Sequence, residues 1–293
     1  MTEVLLVTCT DHPRGEVGGD LLVSALSERG VGSRWVVWDD PGVDWSAAAV
    51  VAVRSTWDYE TRREEFLAWA TSVGPALLNG AEVFEWNTDK AYLVALGGTG
   101  LRVVPTVSVE AAAGLGPAVA AVAPAVVKPR VGVQGRGVVV FDRESVARGE
   151  PVGLDELRLP EGPWVVQPLV ESVRTEGETS VFVLGGQVVA QVRKRPASGG
   201  SREIRVHEEY GGATMRVEIT EEAAALAREV LKVTESLLGV PLHYARVDVM
   251  RMPDGALSLS ELEATEPGFY LDVVPEVAAA FAALVASMLA PIS

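Results

Sequence analysis

The chain has 293 residues, 48% of them hydrophobic and 22% charged, and a formal net charge of −15. This composition supports a packed core, excludes a disordered chain, and allows two domains or one large α/β unit. The acidic balance excludes a broad phosphate-backbone surface, so nucleic acid is not an expected partner. The single cysteine, Cys9, excludes intramolecular disulfides and cysteine-rich zinc sites.

In chain order, the opening MTEVLLVTCTDH carries an apolar run over 4–7 with no basic flank, which fits a first core strand rather than a signal peptide. Residues 18–29 suit a helix stopped by Gly30. SRWVVWD and AAVVAVRST suit strands, RREEFLAWATSV an amphipathic helix, and PALLNG a short strand ended by Asn79-Gly80. Strands alternating with helices imply a parallel sheet covered on both faces. A helix over 89–96 runs into GGTG, a flexible join, followed by a strand VVPTVSV and an Ala-rich helix. AVVKP then leads into a glycine loop and a further strand, VVVFD. Strands PWVVQPLV, ETSVFVL and QVVAQVRKR follow, with Gly185-Gly186 fitting a hairpin turn. After a polar, glycine-rich stretch over 196–212 comes a long helix over 220–238. LHYARVDVMRM, a turn at Pro253-Asp254-Gly255, and ALSLSELEAT complete the strands. The last apolar run, VAAAFAALVASMLA, is about 14 residues long and too short to span a bilayer. A soluble, cytoplasmic protein without a membrane partner is expected.

Lysine is scarce: Lys90, Lys128, Lys194 and Lys232 are the only four, and the other 21 of the 25 basic residues are arginine. In a chain this rich in Ala, Val, Gly and Arg, a lysine without a task tends to drift to arginine. Lys128 ends a strand just before GVQGRG, whose glycines could bring backbone N–H groups close to phosphate. A strand follows that loop instead of a helix, so it is not a Rossmann fingerprint but a flap, or simply a glycine hairpin with a solvated lysine. This argues against a dinucleotide-dependent oxidoreductase.

Glu261 and Glu263 lie two apart on a strand and so share a face. The Pro-Asp-Gly turn makes that strand the antiparallel neighbour of YARVDVM, which holds Asp248 within an apolar run. Three carboxylates on one face would repel unless a cation sat among them, and all-oxygen ligation suits Mg²⁺ or Mn²⁺. The alternative is a solvated hairpin face carrying ordinary surface charges.

The series WNTDKAYL, VVKP, flap, VVQPLVES, EGETSVFV, RVDVM and SELEATEP resembles the ATP-grasp superfamily over residues 85–270. VRSTWDY, WNTDKAYL, EGETS and the YGG, YARVD and ELEATEP segments resemble its glutathione synthetase-like group. The resemblance implies an α/β ATP-grasp fold preceded by an N-terminal parallel-sheet domain. The expected divisions are 1–88 for that domain and 89–293 for the ATP-grasp module. Within the module, 89–163 would be a flap-bearing subdomain and 164–293 a metal- and substrate-binding one.

By the same resemblance the substrates would be ATP with Mg²⁺ and a small amino-acid-like molecule, and a homo-oligomer is allowed. Lys90 and Lys128 would contact the α- and β-phosphates, with Gly135 in the flap above them. Gln167 would accept the adenine amino group and Val170 would meet the adenine ring through its backbone. Glu178 would hold the ribose, with Glu171 as its competitor. Lys194 would face the γ-phosphate, and Arg205 and Arg246 would steady the γ-phosphate and the oxyanion. Asp248, Glu261 and Glu263 would bind metal, Glu263 standing where many relatives have asparagine. The flap arginines, Arg130 and Arg136, depart from the family pattern and could contact phosphates or a more anionic acceptor.

RSTWDY ends a strand where α/β proteins expose ligand-binding residues. Arg54, Ser55, Asp58 and Tyr59 are therefore substrate-binding candidates, or Arg54 and Asp58 pair in a packed corner. His207 lies in a polar loop with Gly211 and Gly212, which would offer N–H donors to an anion or form a turn. His12, after the first strand, marks a second possible substrate loop or an ordinary one, and Tyr270 could border the pocket. The resemblance implies activation of a carboxylate as an acyl phosphate and attack by an amine-type nitrogen. The specific expectation is ring closure of an O-ureido-serine-like substrate to a cycloserine-type product. An intermolecular carboxylate–amine ligase and a non-catalytic nucleotide sensor are the rivals.

Overall fold

The computed structural model describes residues 3–148, 161–197 and 203–290. Part of the polar stretch expected over 196–212, residues 198–202, lies outside them.

Strands β1 (Glu3–Thr8), β2 (Gly32–Val37) and β3 (Val50–Ser55) form a parallel sheet in the order β2-β1-β3, with helix α1 (Asp20–Glu28) between the first two. Val4, Leu5, Leu6 and Val7 are all buried, as a central strand covered on both faces requires. One face packs against α1 through Leu22 and Leu26, the other against α2 (Arg63–Val73) through Phe66, Trp69 and Ala70. PALLNG is not a strand. It makes one parallel bridge, Val51 to Leu77, and then Asn79 adopts φ 64° and turns the chain away. The Asn79 side chain donates to the carbonyls of Tyr244 and Ala264 and accepts from the His243 N–H, so it stitches this domain to distant strands.

Helices α3 (Ala81–Asn87) and α4 (Tyr92–Gly98) lead on, and α4 absorbs the first half of GGTG. A second, antiparallel sheet contains β4 (Val107–Val109), β5 (Ala125–Pro129), β6 (Val139–Phe141) and β7 (Trp164–Pro168) in the order β4-β7-β5-β6. Helix α5 (Ala112–Val122) covers it, and α6 (Arg143–Arg148) follows β6. β7 pairs with both β4 and β5, so the small subdomain extends to Pro168 instead of ending at residue 163.

After the short α7 (Ser172–Thr175), strands β8 (Glu178–Leu184), β9 (Gln187–Arg195), β10 (Ala213–Arg216), β11 (Tyr244–Arg251) and β12 (Leu257–Glu263) build the third sheet. Its order is β10-β9-β8-β11-β12. The β8–β9 turn has Gly185 and Gly186 at φ 55° and 74°, the left-handed pair that a tight hairpin demands. Helix α8 (Glu221–Leu238) packs on one face against Val181, Val183, Val247 and Val249. The alternating YARVDVM thereby turns Arg246 and Asp248 to the other face. Helix α9 (Glu276–Leu289) covers that other face at the Phe182 end and packs on α1. Among the described residues, no helix is long and apolar enough to cross a membrane.

Candidate active site

The third sheet's uncovered face and the small sheet enclose a cavity of about 360 Å³, which the N-terminal domain closes at one end with His12, Glu16, Trp57 and Tyr59. Strand register assembles its floor. Asp248 lies opposite Glu261, Arg246 opposite Glu263, and Glu178 opposite Lys194. Directly paired residues share a face, so six charged side chains from four strands converge there.

Asp248, Glu261 and Glu263 bring ligand oxygens within 4.8 Å of one another. Lys194 Nζ lies 2.8 Å from Asp248 and 2.7 Å from Glu178, and Arg246 Nη2 lies 2.8 Å from Asp248 and also bonds Glu263. Lys90 Nζ sits 3.1 Å from Glu261 and donates to the Gly132 carbonyl in the flap at 2.6 Å. Burial disfavours ionised Asp248, but Arg246 and Lys194 outweigh it and hold the carboxyl well below its usual range. Burial likewise opposes ionisation of Glu261, and Lys90 and Lys128 more than compensate. Glu263 goes the other way. Burial, with Asp248, Glu261 and Glu266 nearby, pushes it up to about 8 despite Arg246.

A set of three converging carboxylates, one of them reluctant to ionise, fits a hard divalent cation with oxygen ligands. Glu263→Gln should therefore leave the metal-free fold as stable or more stable. The Mg²⁺ concentration for half-maximal turnover should rise by more than about tenfold, at least the effect seen for removing a group that merely supports a ligand. Between the usual glutamate range and about 8, folded Glu263 keeps a proton that the unfolded chain has released. Metal-free stability should accordingly fall as pH rises through that window, and fall less in Glu263→Gln, as thermal melts at stepped pH would read. A higher metal-free stability in the parent protein would remove the repulsion argument.

Lys128 is half-buried in the cavity wall and makes no ion pair among the described residues. The flap arches from β5 to β6 over it, with Gln134 and Gly135 at φ 56° and 73° and Gly135 against Arg205. Arg205 pairs with Glu203 at 2.6 Å and stacks over the Tyr210 ring at 3.4 Å. The flap arginines are committed elsewhere. Arg130 bonds Asp89 and Glu110, while Arg136 bonds Glu60, whose carboxylate also accepts the Val133 N–H at 3.2 Å. They fasten the flap to its surroundings and are not free for phosphate or an anionic acceptor.

Beyond the lysines, Val126, Val138, Val173 and Ile204 form an apolar slot beside Gln167 and Val170. Gln167 donates its amide nitrogen to Thr106 Oγ1 at 3.0 Å, which leaves its amide oxygen as an acceptor. Glu178 lines the cavity, 7% exposed, and accepts from Ser260 Oγ. Its competitor Glu171 is exposed, pairs with Arg174, and is not in the cavity wall.

The residues expected to touch substrate divide sharply. Tyr59 and His207 line the cavity; burial lowers the His207 pKa. Arg54 does not line it. Its side chain is fully buried, bonds Glu16 at 2.8 Å and the Pro267 carbonyl at 2.5 Å, and stacks 3.4 Å above Phe269. Ser55 is buried and donates to Thr8 Oγ1, and Asp58 accepts from the Trp38 indole. Neither faces the cavity, and Arg54 pairs with Glu16 instead of Asp58. Gly211 and Gly212 form a turn outside the wall. Gly211 adopts φ 76°, and a Cβ on Gly212 would lie 2.2 Å from the Val206 carbonyl oxygen. Glu16, Trp57, Asn87, Ser260 and Glu266 line the cavity and carried no role in the sequence reading. Trp57, Asn87, Ser260 and Glu266 lie inside the segments VRSTWDY, WNTDKAYL and SELEATEP, whose resemblance could have marked them; Glu16 had no such signal.

A charged cleft between two sheets under a glycine flap defines an ATP-grasp ligase, and the chain belongs to that family: residues 106–269 match the RimK-like ATP-grasp domain. Residues 4–79 match the N-terminal domain of D-cycloserine synthetase DcsG. Among individual proteins, the chain is 31% identical over 281 residues to the cycloserine biosynthesis protein DcsG of Streptomyces lavendulae, covering 92% of this chain and 93% of that one. The crystal structure of D-cycloserine synthetase DcsG superposes with a TM-score of 0.85 at 27% identity, covering 98% of this chain and all of that one. The ATP-grasp ligase PsnB, complexed with minimal precursor, Mg and ADP, shares the fold at a TM-score of 0.62 and 17% identity, with 98% of each chain covered.

Proposed function

We propose that this ligase uses Mg²⁺-ATP to convert a substrate carboxylate into an acyl phosphate and then closes a ring. The substrate would be of the O-ureido-D-serine type and the product a cycloserine-type ring. The observation that carries this reading is likeness to DcsG along the whole chain, including the N-terminal domain that closes one end of the cavity.

In this reading adenine lies in the valine-lined slot, with Gln167 accepting its amino group, the Val170 backbone along its ring and Glu178 on the ribose. Lys90 and Lys128 take the α- and β-phosphates. Lys194, Arg205 and Arg246 face the γ-phosphate and the oxyanion that forms during transfer. Asp248, Glu261 and Glu263 hold Mg²⁺, or Mn²⁺ in its place. When bound, the metal would offset charge on the transferring phosphoryl group.

Two anions must meet for a carboxylate to be phosphorylated, so converging cations are the main requirement. The flap, fastened by Lys90, Glu60 and Asp89, keeps water from the acyl phosphate. The enclosing cavity holds a folded conformer, which supplies much of the rate of an intramolecular attack. The test is phosphate release with Mg²⁺-ATP and O-ureido-D-serine, with the L-isomer and amino-acid pairs alongside. Release with the D-substrate alone and a ring product by mass is expected. Release only with two substrates together would move the function to intermolecular ligation.

A further inference from the structure

Glu208, Glu209 and Asp272 of the cavity wall are exposed, and its remaining acids but one are matched by cations. Glu16 pairs with Arg54, Glu178 with Lys194, Asp248 with Lys194 and Arg246, Glu261 with Lys90, and Glu263 with Arg246. Glu266 is different. It is 7% exposed, lines the same cavity, and has no cationic partner among the described residues. The buried Tyr59 hydroxyl lines the cavity beside it and favours its ionised form. An unpaired buried carboxylate is costly, and a ligand that brings its own positive charge removes that cost.

We propose that Glu266 and the Tyr59 hydroxyl form the receptor for the ammonium group of an α-amino-acid substrate. This rests on reading the cavity as the site of an amino-acid ligase.

The segment that carries Glu266 is held from both sides. Asn87 accepts from the N–H groups of Ala264 and Thr265, Glu16 accepts from that of Phe269 at 2.6 Å, and Arg54 donates to the Pro267 carbonyl. A receptor fixed in this way needs little ordering when ligand arrives. Gly268, two residues on, sits between the complementary groups. A Cβ there would lie 3.7 Å from Arg246 Nη1 and 3.9 Å from Trp57 Cζ2. Anion, cation and aromatic wall thus surround one short loop. That arrangement suits a zwitterion, with its carboxylate toward Arg246 and the metal-ligating face and its ammonium toward Glu266. Burial, with Glu261 nearby, pushes the Glu266 pKa up to about 7, while Tyr59, Lys90 and Arg246 favour its ionised form. Asp272 also lines the cavity, but it is exposed and hydrated, so it cannot replace a desolvated carboxylate.

The test compares pairs of probes that differ only in the amino group, with binding read by calorimetry at saturating Mg²⁺-ADP. The pairs are O-ureido-D-serine and its desamino counterpart, serine of either hand and 3-hydroxypropanoate, and alanine of either hand and propanoate. For at least one pair the amino form should bind about tenfold to a hundredfold more tightly, as a desolvated charged hydrogen bond implies. Glu266→Gln should erase that preference while leaving ADP affinity and desamino binding in place. Tyr59→Phe should erase part of it, and it carries the test alone if the glutamine variant melts early. A merely structural Glu266 would change both members of each pair together, and that result overturns the proposal. Equal binding of both members by the parent protein overturns it too. A preference that appears only for serine or alanine, and is lost in Glu266→Gln, upholds the receptor and rejects the O-ureido-D-serine reading.

Discussion

Replacing Lys128 with alanine should leave a folded protein whose phosphate release is slower by about 10²–10³-fold, the scale of losing one preorganised donor to developing charge. Lys90, Lys194 and Arg246 each lean on a carboxylate of the floor, whereas Lys128 has no such partner among the described residues. Its charge acts on Glu261 only through space, and no carboxylate holds its ammonium away from whatever enters the cavity. The fold should tolerate its loss, because Lys128 lies one residue before the end of β5 and makes its backbone pairing with Val165 whatever its side chain is. Turnover with Mg²⁺-ATP, read beside the urea midpoint, separates the two effects. Unchanged turnover would exclude a phosphate role. Lost turnover with a lowered midpoint would make the lysine a packing residue. Lys128→Arg should recover only part of the rate, since a planar guanidinium presents its donors at different angles from an ammonium.

The parts of the site that could be read from sequence are those in which a local period fixes a side chain's direction. YARVDVM and SELE alternate, so their charged residues had to share a face once the Pro-Asp-Gly turn made the strands neighbours. The glycine pair at 185–186 announced its hairpin for the same local reason. What could not be read depends on partners far along the chain. Arg54 meets Glu16 and Pro267, separations of 38 and 213 residues, and nothing in RSTWDY distinguishes an exposed strand end from a buried one. The role of PALLNG is likewise decided by Asn79, whose side-chain bonds run to residues 243, 244 and 264. β7 looked like the first strand of the last subdomain because it stands next to β8 in sequence, yet its pairing partners are β4 and β5. Glu266 escaped notice because it follows the last strand, where no period applies, and its isolation from cations is visible only in three dimensions.

Arg54→Ala should destabilise the protein by about 3–5 kcal/mol, the usual consequence of stranding one member of a buried ion pair. Three losses coincide: Glu16 keeps a buried carboxylate with no counter-charge, the Pro267 carbonyl loses its donor, and Phe269 loses the guanidinium stacked on its ring. Urea unfolding reads the stability directly. Had Arg54 been a substrate-carboxylate ligand, as the end of its strand suggested, its removal would raise KM and leave the midpoint unchanged. The double variant Glu16→Ala/Arg54→Ala should lose less than the two single losses summed, because it strands no charge. The Phe269 N–H loses its Glu16 acceptor in either Glu16 variant. The segment carrying Glu266 and Gly268 should then loosen, and affinity for an amino-acid probe should fall more than affinity for ADP. An additive double variant would mean that the pair does not act as a unit, and an unchanged midpoint in Arg54→Ala would return the arginine to the substrate.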